Sequence, residues 1–272
     1  GAKVVVTPGF LFEEAIYIAQ DKYPEIMFIL LDGVPHDANY ENFKTGPNVF
    51  PVVYAEEHCG YLAGYAAVVD GYRNLGYQGG MAVPAVCRYG FGYVQGANDA
   101  ARDLGLAKGS IKIMYNYSGD FADTPASQTR AAGWYQAGTE VIFAAGGKVG
   151  NSVMSAAEAA NKAVIGVDVD QSAESPTVIS SAMKGLATMV QYGLKGFYAG
   201  KFPGGEAVTV GAESNAVSLA PFSTSKWKTF SQADYDALFA KLANGTIVPE
   251  KDLDRTNPTE LKLDYVKLTF VE

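Results

Sequence analysis

The sequence predicts an α/β protein of two similar lobes, each built on a parallel sheet. Three observations carry this expectation. Short β-branched runs alternate with apolar positions at helical spacing, the grammar of β-α-β units. One such unit near the start returns in the second half of the chain, with Gly9 to Asp32 spanning 23 positions and Gly147 to Asp168 spanning 21. The 272 residues, 48% apolar and 18% charged, make a globular composition with room for about two domains.

Val4-Val5-Val6, closed by Pro8-Gly9, reads as a buried strand. Phe12, Ala15, Ile16, Ala19 and Tyr23 follow at helical spacing, and Pro24 ends that helix. Met27 to Leu31 is the next strand, stopped at Asp32-Gly33, then Val49 to Tyr54, then a small-residue helix over Gly60 to Val69. A helix from Phe91 to Leu104 and a strand from Ile111 to Tyr115 come next. The aromatic-glycine stretch Cys87 to Tyr93 reads as a helix start packed on a sheet. Val141 to Ala144 is a strand ending at Gly146-Gly147, followed by a helix with Asn151 as N-cap and by the strand Val164 to Val167, which ends at Asp168. Leu186 to Tyr198 and Asp234 to Leu242 are helices, Ala207 to Leu219 holds alternating strands, and Leu261 to Phe270 is the last strand-like stretch. One lobe is expected to hold 1–75 with about 186–225, the other 76–185, and 226–272 to add a closing helix and strand. The chain enters a strand almost at once, with no signal peptide, so it is expected to begin inside a domain.

Twenty-one basic against 29 acidic residues leave a net charge of −8, which argues against a nucleic-acid partner. No apolar run approaches the roughly 18 residues of a membrane span. Cys59 and Cys87 form no CxxC and read as buried free thiols, with one disulfide between them as the alternative. With only His36 and His58 beside them, a zinc site is not expected, and no GxSxG marks a hydrolase.

In open α/β sheets ligands bind beyond the carboxyl ends of the strands. Phe10, Gly147 and Asp168 stand at such ends. The Gly146-Gly147-Lys148-Val149-Gly150 loop fits a tight turn, a neutral ligand approaching bare backbone, or a phosphate cradle; the P-loop and dinucleotide patterns both fail. Asp168 and Asp170 alternate along an extended chain and so should not share one site. A single strand-end carboxylate suits a vicinal diol, and it equally fits a surface turn. Lys184 ends the run Val178 to Met183; a lysine buried there needs a partner, with Asp168 or a ligand atom as candidates, and solvation is the alternative. Phe121 lies in the polar loop Ser118 to Asp123, where an aromatic ring either faces a ligand or packs under its loop. Phe10, also in a loop, is expected as its counterpart in the other lobe, with the same alternative of packing under its loop.

Pro8-Gly9-Phe10, Phe28 to Asp32, Ala55-Glu56-Glu57 through Gly64, Gly79-Gly80-Met81, Gly146-Gly147, Ile165 to Gln171, Ser181 to Lys184 and Phe202 to Gly205 together resemble the basic membrane protein family of ABC-transporter substrate-binding lipoproteins, of purine nucleoside receptor type. The resemblance implies a type I periplasmic-binding-protein fold, with two Rossmann-like lobes joined by a hinge. It implies capture of a purine nucleoside of the inosine, guanosine or adenosine class in the inter-lobe cleft, hand-over to an ABC permease, no cofactor and no catalysis. It also implies a monomer outside the cytoplasm, lipid-anchored through a cysteine that is not in this chain. By the same resemblance Phe121 stacks on the base, Gly147 meets the ligand through its backbone, Asp168 holds ribose hydroxyls and Lys184 makes a polar contact, while Phe10 is placed in the cleft without a defined role. Family members open with a strand carrying an Asp-x-Ser-Phe-Asn type segment, absent here, so the first lobe is expected to lack a central strand and expose a sheet edge. The residues alone also fit a receptor for a sugar or other small polar solute, and outside that class a cytoplasmic sensing module or a nucleoside-cleaving enzyme.

Overall fold

The computed structural model describes residues 1–251 and 256–271. In chain order the elements are β1 (Val4–Pro8), α1 (Glu13–Lys22), β2 (Met27–Leu31), β3 (Val49–Tyr54), α2 (Glu56–Val69), β4 (Asn74–Gly79), α3 (Pro84–Asp103), β5 (Ile111–Tyr117), α4 (Pro125–Gln136), β6 (Val141–Ala145) and α5 (Val149–Ala160). They continue with β7 (Ala163–Asp168), β8 (Val178–Lys184), α6 (Leu186–Tyr198), β9 (Val208–Val210), β10 (Val217–Leu219), α7 (Gln232–Ala243) and β11 (Val266–Phe270). The chain forms two compact units, Gly1–Ala55 with Gly185–Ala216, and Glu56–Lys184 with Val217–Glu272.

The first unit carries a parallel four-stranded sheet in the order β1-β2-β3-β9. The period-two alternation of a strand sorts its residues between two faces. Val5, Phe28, Leu30 and Val49 pack with Ile16 of α1, whereas Val4, Ile29, Leu31, Phe50 and Val52 pack with Met189 of α6. β1 is an edge of this sheet.

The second unit carries a seven-stranded sheet in the order β10-β8-β7-β6-β4-β5-β11. All its pairings are parallel except β10 on β8. Trp134 of α4 and Val149, Val153 and Ala157 of α5 cover one face, over Ile142, Ala144 and Val164. α2 and α3 lie together so closely that their glycines touch backbone. A side-chain carbon at Gly60 or Gly64 would stand 2.0 Å from the carbonyl oxygen of Tyr89 or Tyr93, and one at Gly92 or Gly96 2.1 Å from that of Glu57 or Tyr61. Only a residue without Cβ permits that approach.

This contact corrects the expected lobe boundaries. α2 packs on α3, so the first unit ends at Ala55 and not near residue 75. β10 pairs with β8 and β11 with β5, so residues from Val217 onward, including the stretch 226–272, belong to the second unit; of that stretch, 252–255 and 272 lie outside the described residues. Asn151 is not an N-cap either. Gly147, at φ +55, turns the chain early, and Val149 already donates to Gly146 O at 3.0 Å, so the helix starts ahead of Asn151. Among the described residues no helix is long and apolar enough to cross a membrane.

Candidate functional site

The strand order of the second unit reverses at β4: the chain moves from β4 to β5 on one side, then returns to β6 on the other. Such a reversal opens a crevice beyond the carboxyl ends of the two strands. Gly80 follows β4 and Gly146-Gly147 follow β6, and there the backbones nearly touch. Gly80 N donates to Ala145 O at 3.1 Å, and a Cβ at Gly146 would sit 2.6 Å from Gly80 N.

Phe121 closes over this point. Its loop is pinned at both ends, by Ser118 N donating to Gly79 O (2.9 Å) and Lys148 N donating to Phe121 O (3.1 Å). Further along, Ser152 Oγ donates to the Asp123 carboxylate and accepts from Thr124 N at 3.0 Å. The half-buried Phe121 ring lies on Gly80, where a Cβ would be 2.5 Å from the ring edge, and beside Gly147, whose Cβ would be 3.6 Å from that of Phe121. Phe121 and Gly147 are therefore adjacent.

Asp168 ends β7, the strand next to β6, with φ +66. Aspartate tolerates this left-handed conformation better than most residues. Its side chain stays 44% exposed, and its Oδ1 accepts from Tyr89 OH at 3.1 Å and lies 3.4 Å from Lys184 Nζ. Lys184 ends β8, alongside Asp168, with a side chain only 3% exposed. Its Nζ is also 3.2 Å from Oε1 of the fully buried Glu56 and 5.2 Å from the centre of the Tyr89 ring. Lys184 is thus a buried, paired lysine with Asp168 as one partner. Asp170 turns to other work. Burial opposes its charge, yet hydrogen bonds from Thr224 and Ser172 hold its carboxyl below the usual range. Gln171 accepts from Val167 N at 2.8 Å and donates its own N–H to Ser181 Oγ at 3.0 Å, fastening the turn.

Phe121, Gly147, Asp168 and Lys184 thus stand on the carboxyl edge of one sheet. Phe10 belongs to the first unit, where it opens a single 3-10 turn after β1. Cys59 and Cys87 are buried free thiols, and burial together with the neighbouring Glu56 carboxylate pushes the Cys59 thiol up, away from reactivity. Among the described residues no group of three His, Cys, Asp or Glu side chains is placed to hold a metal. Three residues at this edge carried no site signal in the sequence. Tyr89 read as part of a helix start packed on a sheet, and Gly80 and Glu56 entered only within the stretches that carry the family resemblance.

A reversing parallel sheet with an aromatic ring, bare backbone and a strand-end carboxylate along one edge is the architecture on which open α/β proteins hold small ligands. The chain belongs to the Bmp family, described as ABC transporter substrate-binding protein PnrA-like, whose model matches residues 1–249. It is 32% identical over 238 residues to the ABC transporter nucleoside-binding protein BmpA of Lactococcus lactis subsp. cremoris, a match covering 80% of this chain and 64% of that protein. It is 28% identical over 226 residues to basic membrane protein B of Borreliella burgdorferi, covering 80% and 63%. The chain therefore spans just under two thirds of the length of these curated relatives. An ABC transporter solute-binding protein from Aeropyrum pernix K1 superposes with a TM-score of 0.75 at 22% identity, over 93% of this chain and 78% of that one. The fold is that of the type I periplasmic-binding proteins, as the sequence resemblance implies.

Proposed function

We propose that this chain is the ligand-binding part of an extracytoplasmic, lipid-anchored receptor that captures a purine nucleoside and presents it to an ABC permease, without chemistry on the ligand. The observation that carries the reading is the Asp168 carboxylate, held half-exposed by Tyr89 and Lys184 on the sheet edge that also bears Phe121 and Gly147. A carboxylate accepts two hydroxyl hydrogen bonds from a vicinal diol, and an aromatic ring stacks on a flat base at about 1–3 kcal/mol. The backbone at Gly147 gives a ligand close approach with no side chain in the way. The name of the Lactococcus relative, a nucleoside-binding protein, supports the same ligand class.

Calorimetric titration with inosine, guanosine and adenosine, against ribose and free hypoxanthine, tests this. The nucleosides are expected to bind and the separated halves to bind far more weakly. Asp168→Asn should weaken inosine binding by about 10–100-fold, the worth of a charge-assisted hydrogen bond. Binding of ribose without inosine would turn the reading to a sugar receptor. Protein-dependent release of free base would make the chain an enzyme.

A further inference from the structure

We infer that Glu56 is a positioning residue for the ligand-facing carboxylate, acting through Lys184; the inference rests on the nucleoside reading for its affinity readout. Glu56 opens α2 with its side chain fully buried. A carboxylate out of water must be paired, since an isolated buried charge is strongly unfavourable. Its Oε1 lies 3.2 Å from Lys184 Nζ and its Oε2 3.4 Å from Arg88 Nη1. Lys184 Nζ lies in turn 3.4 Å from Asp168 Oδ1, which Tyr89 OH also reaches at 3.1 Å. The ammonium is thus shared between one carboxylate with no access to water and one that is 44% exposed.

The sharing matters because an ammonium has three donors and a compact charge. While Glu56 draws part of it inward, Asp168 keeps acceptor capacity on its exposed side for a second partner. Without the Glu56 charge, more of the Lys184 ammonium charge falls to Asp168, and the Lys184–Asp168 ion pair tightens in competition with ligand hydroxyls. The two glycine-lined helices make the arrangement rigid: α2 carries Glu56, α3 carries Arg88 and Tyr89, and the two backbones are in direct contact.

The test compares Glu56→Gln with the wild-type chain. Affinity for inosine should fall about tenfold, and affinity for 2′,3′-dideoxyinosine, which offers Asp168 no diol, should change much less. A purely structural role would weaken both ligands by one factor, and that result would overturn the inference. Glu56→Asp keeps the charge but withdraws it by one methylene; it should show the same selective loss at smaller size and covers the case in which the glutamine variant folds poorly. A second readout needs no ligand. The carboxyl ¹³C resonance of Asp168 should move in both variants and stay in place in Glu14→Gln, an exposed change in the first unit. An unmoved Asp168 resonance sinks the positioning role even if nucleosides bind; if the wild-type chain binds no nucleoside, the functional reading fails while the resonance still decides the coupling.

Discussion

In the β1-α1-β2 run of the first unit, the chain leaves its first strand through Gly9 at φ +111 and its second through Asp32 at φ +69. In the β6-α5-β7 run of the second unit the same stations are Gly147 at φ +55 and Asp168 at φ +66. Backbone plan and end residues agree; the side chains around them do not. Beside Asp168, Tyr89 and Lys184 hold a carboxylate half in solvent. Beyond Asp32, Glu13 serves the following loop instead: its Oε1 accepts from Val34 N at 2.8 Å, and its Oε2 lies 3.0 Å from His36 Nε2, with His36 stacked on Tyr40 at 3.8 Å. The comparison separates frame from function. The repeated turn places an aspartate at a strand end, and the neighbouring helices decide what it presents.

The largest expected effect comes from attacking what the first unit's repeat lacks, the α2–α3 contact that brings Glu56 and Tyr89 to the edge. Gly64→Val puts a branched side chain where even a Cβ would be 2.0 Å from Tyr93 O. The helices must separate, at a cost of about 3–5 kcal/mol. Urea unfolding followed by near-ultraviolet dichroism should show the tyrosine signal of the second unit lost early, since Tyr77, Tyr93 and Tyr115 are buried together there. A loss below about 1 kcal/mol would mean that the helices have slack and that Tyr89 is not held by them.

Both repeat runs were legible in the sequence because each strand carries a short apolar run, each helix shows its stripe, and each strand closes on glycine or aspartate. β4 was not, although it adjoins the strand reversal. Its sequence, Asn-Leu-Gly-Tyr-Gln-Gly, looks like a loop, yet packing on both faces requires it. A Cβ at Gly76 would be 2.8 Å from Ile142, one at Gly79 2.7 Å from Val86, and the buried Gln78 donates Nε2 to Ser127 O at 3.2 Å. α4 was also passed over, despite a readable start in Thr124, which caps Ser127 N, and Pro125 behind it. At the candidate site, Asp168, Lys184, Phe121 and Gly147 could be singled out because strand ends and loops draw attention to them and the family resemblance adds to it. Glu56 and Tyr89 could not, because a helix–helix approach that small residues permit but do not signal places them there.

The next effect sharpens the comparison at its glycines. Gly9→Ala meets no atom within 4 Å, but φ +111 with ψ +151 is a region nearly reserved for glycine, so stability should fall by about 1–3 kcal/mol. Gly147→Ala sits at φ +55, which an L-residue enters at about 1–2 kcal/mol, and its Cβ would find ordinary contact with Phe121 at 3.6 Å. Thermal unfolding should therefore rank Gly9→Ala as the more damaging change, while inosine titration should rank Gly147→Ala as the more damaging. The same order in both assays would erase the division between frame and function.

The smallest effect lies in the first unit's loop and is a matter of proton affinity. Asp37 accepts from Asn42 Nδ2 at 2.6 Å, Glu41 N at 2.9 Å and Asn39 N at 3.2 Å. These bonds, that from Asn42 foremost, hold its carboxyl below its ordinary value of 3.8. A carboxyl with a lower pKa folded than unfolded stabilises the fold fully above the unfolded value, and this contribution disappears as the pH falls through the folded one. The loop should therefore keep its Asn39 and Glu41 amides protected from exchange when the pH drops to 3.8 and lose that protection only below it, with Asn42→Ala moving the transition upward. A carboxyl titration by NMR reads this directly. An Asp37 midpoint at or above its ordinary value would show that these three bonds do not order the loop, and would leave the His36–Glu13 contact as its side-chain anchor behind the strand-end turn.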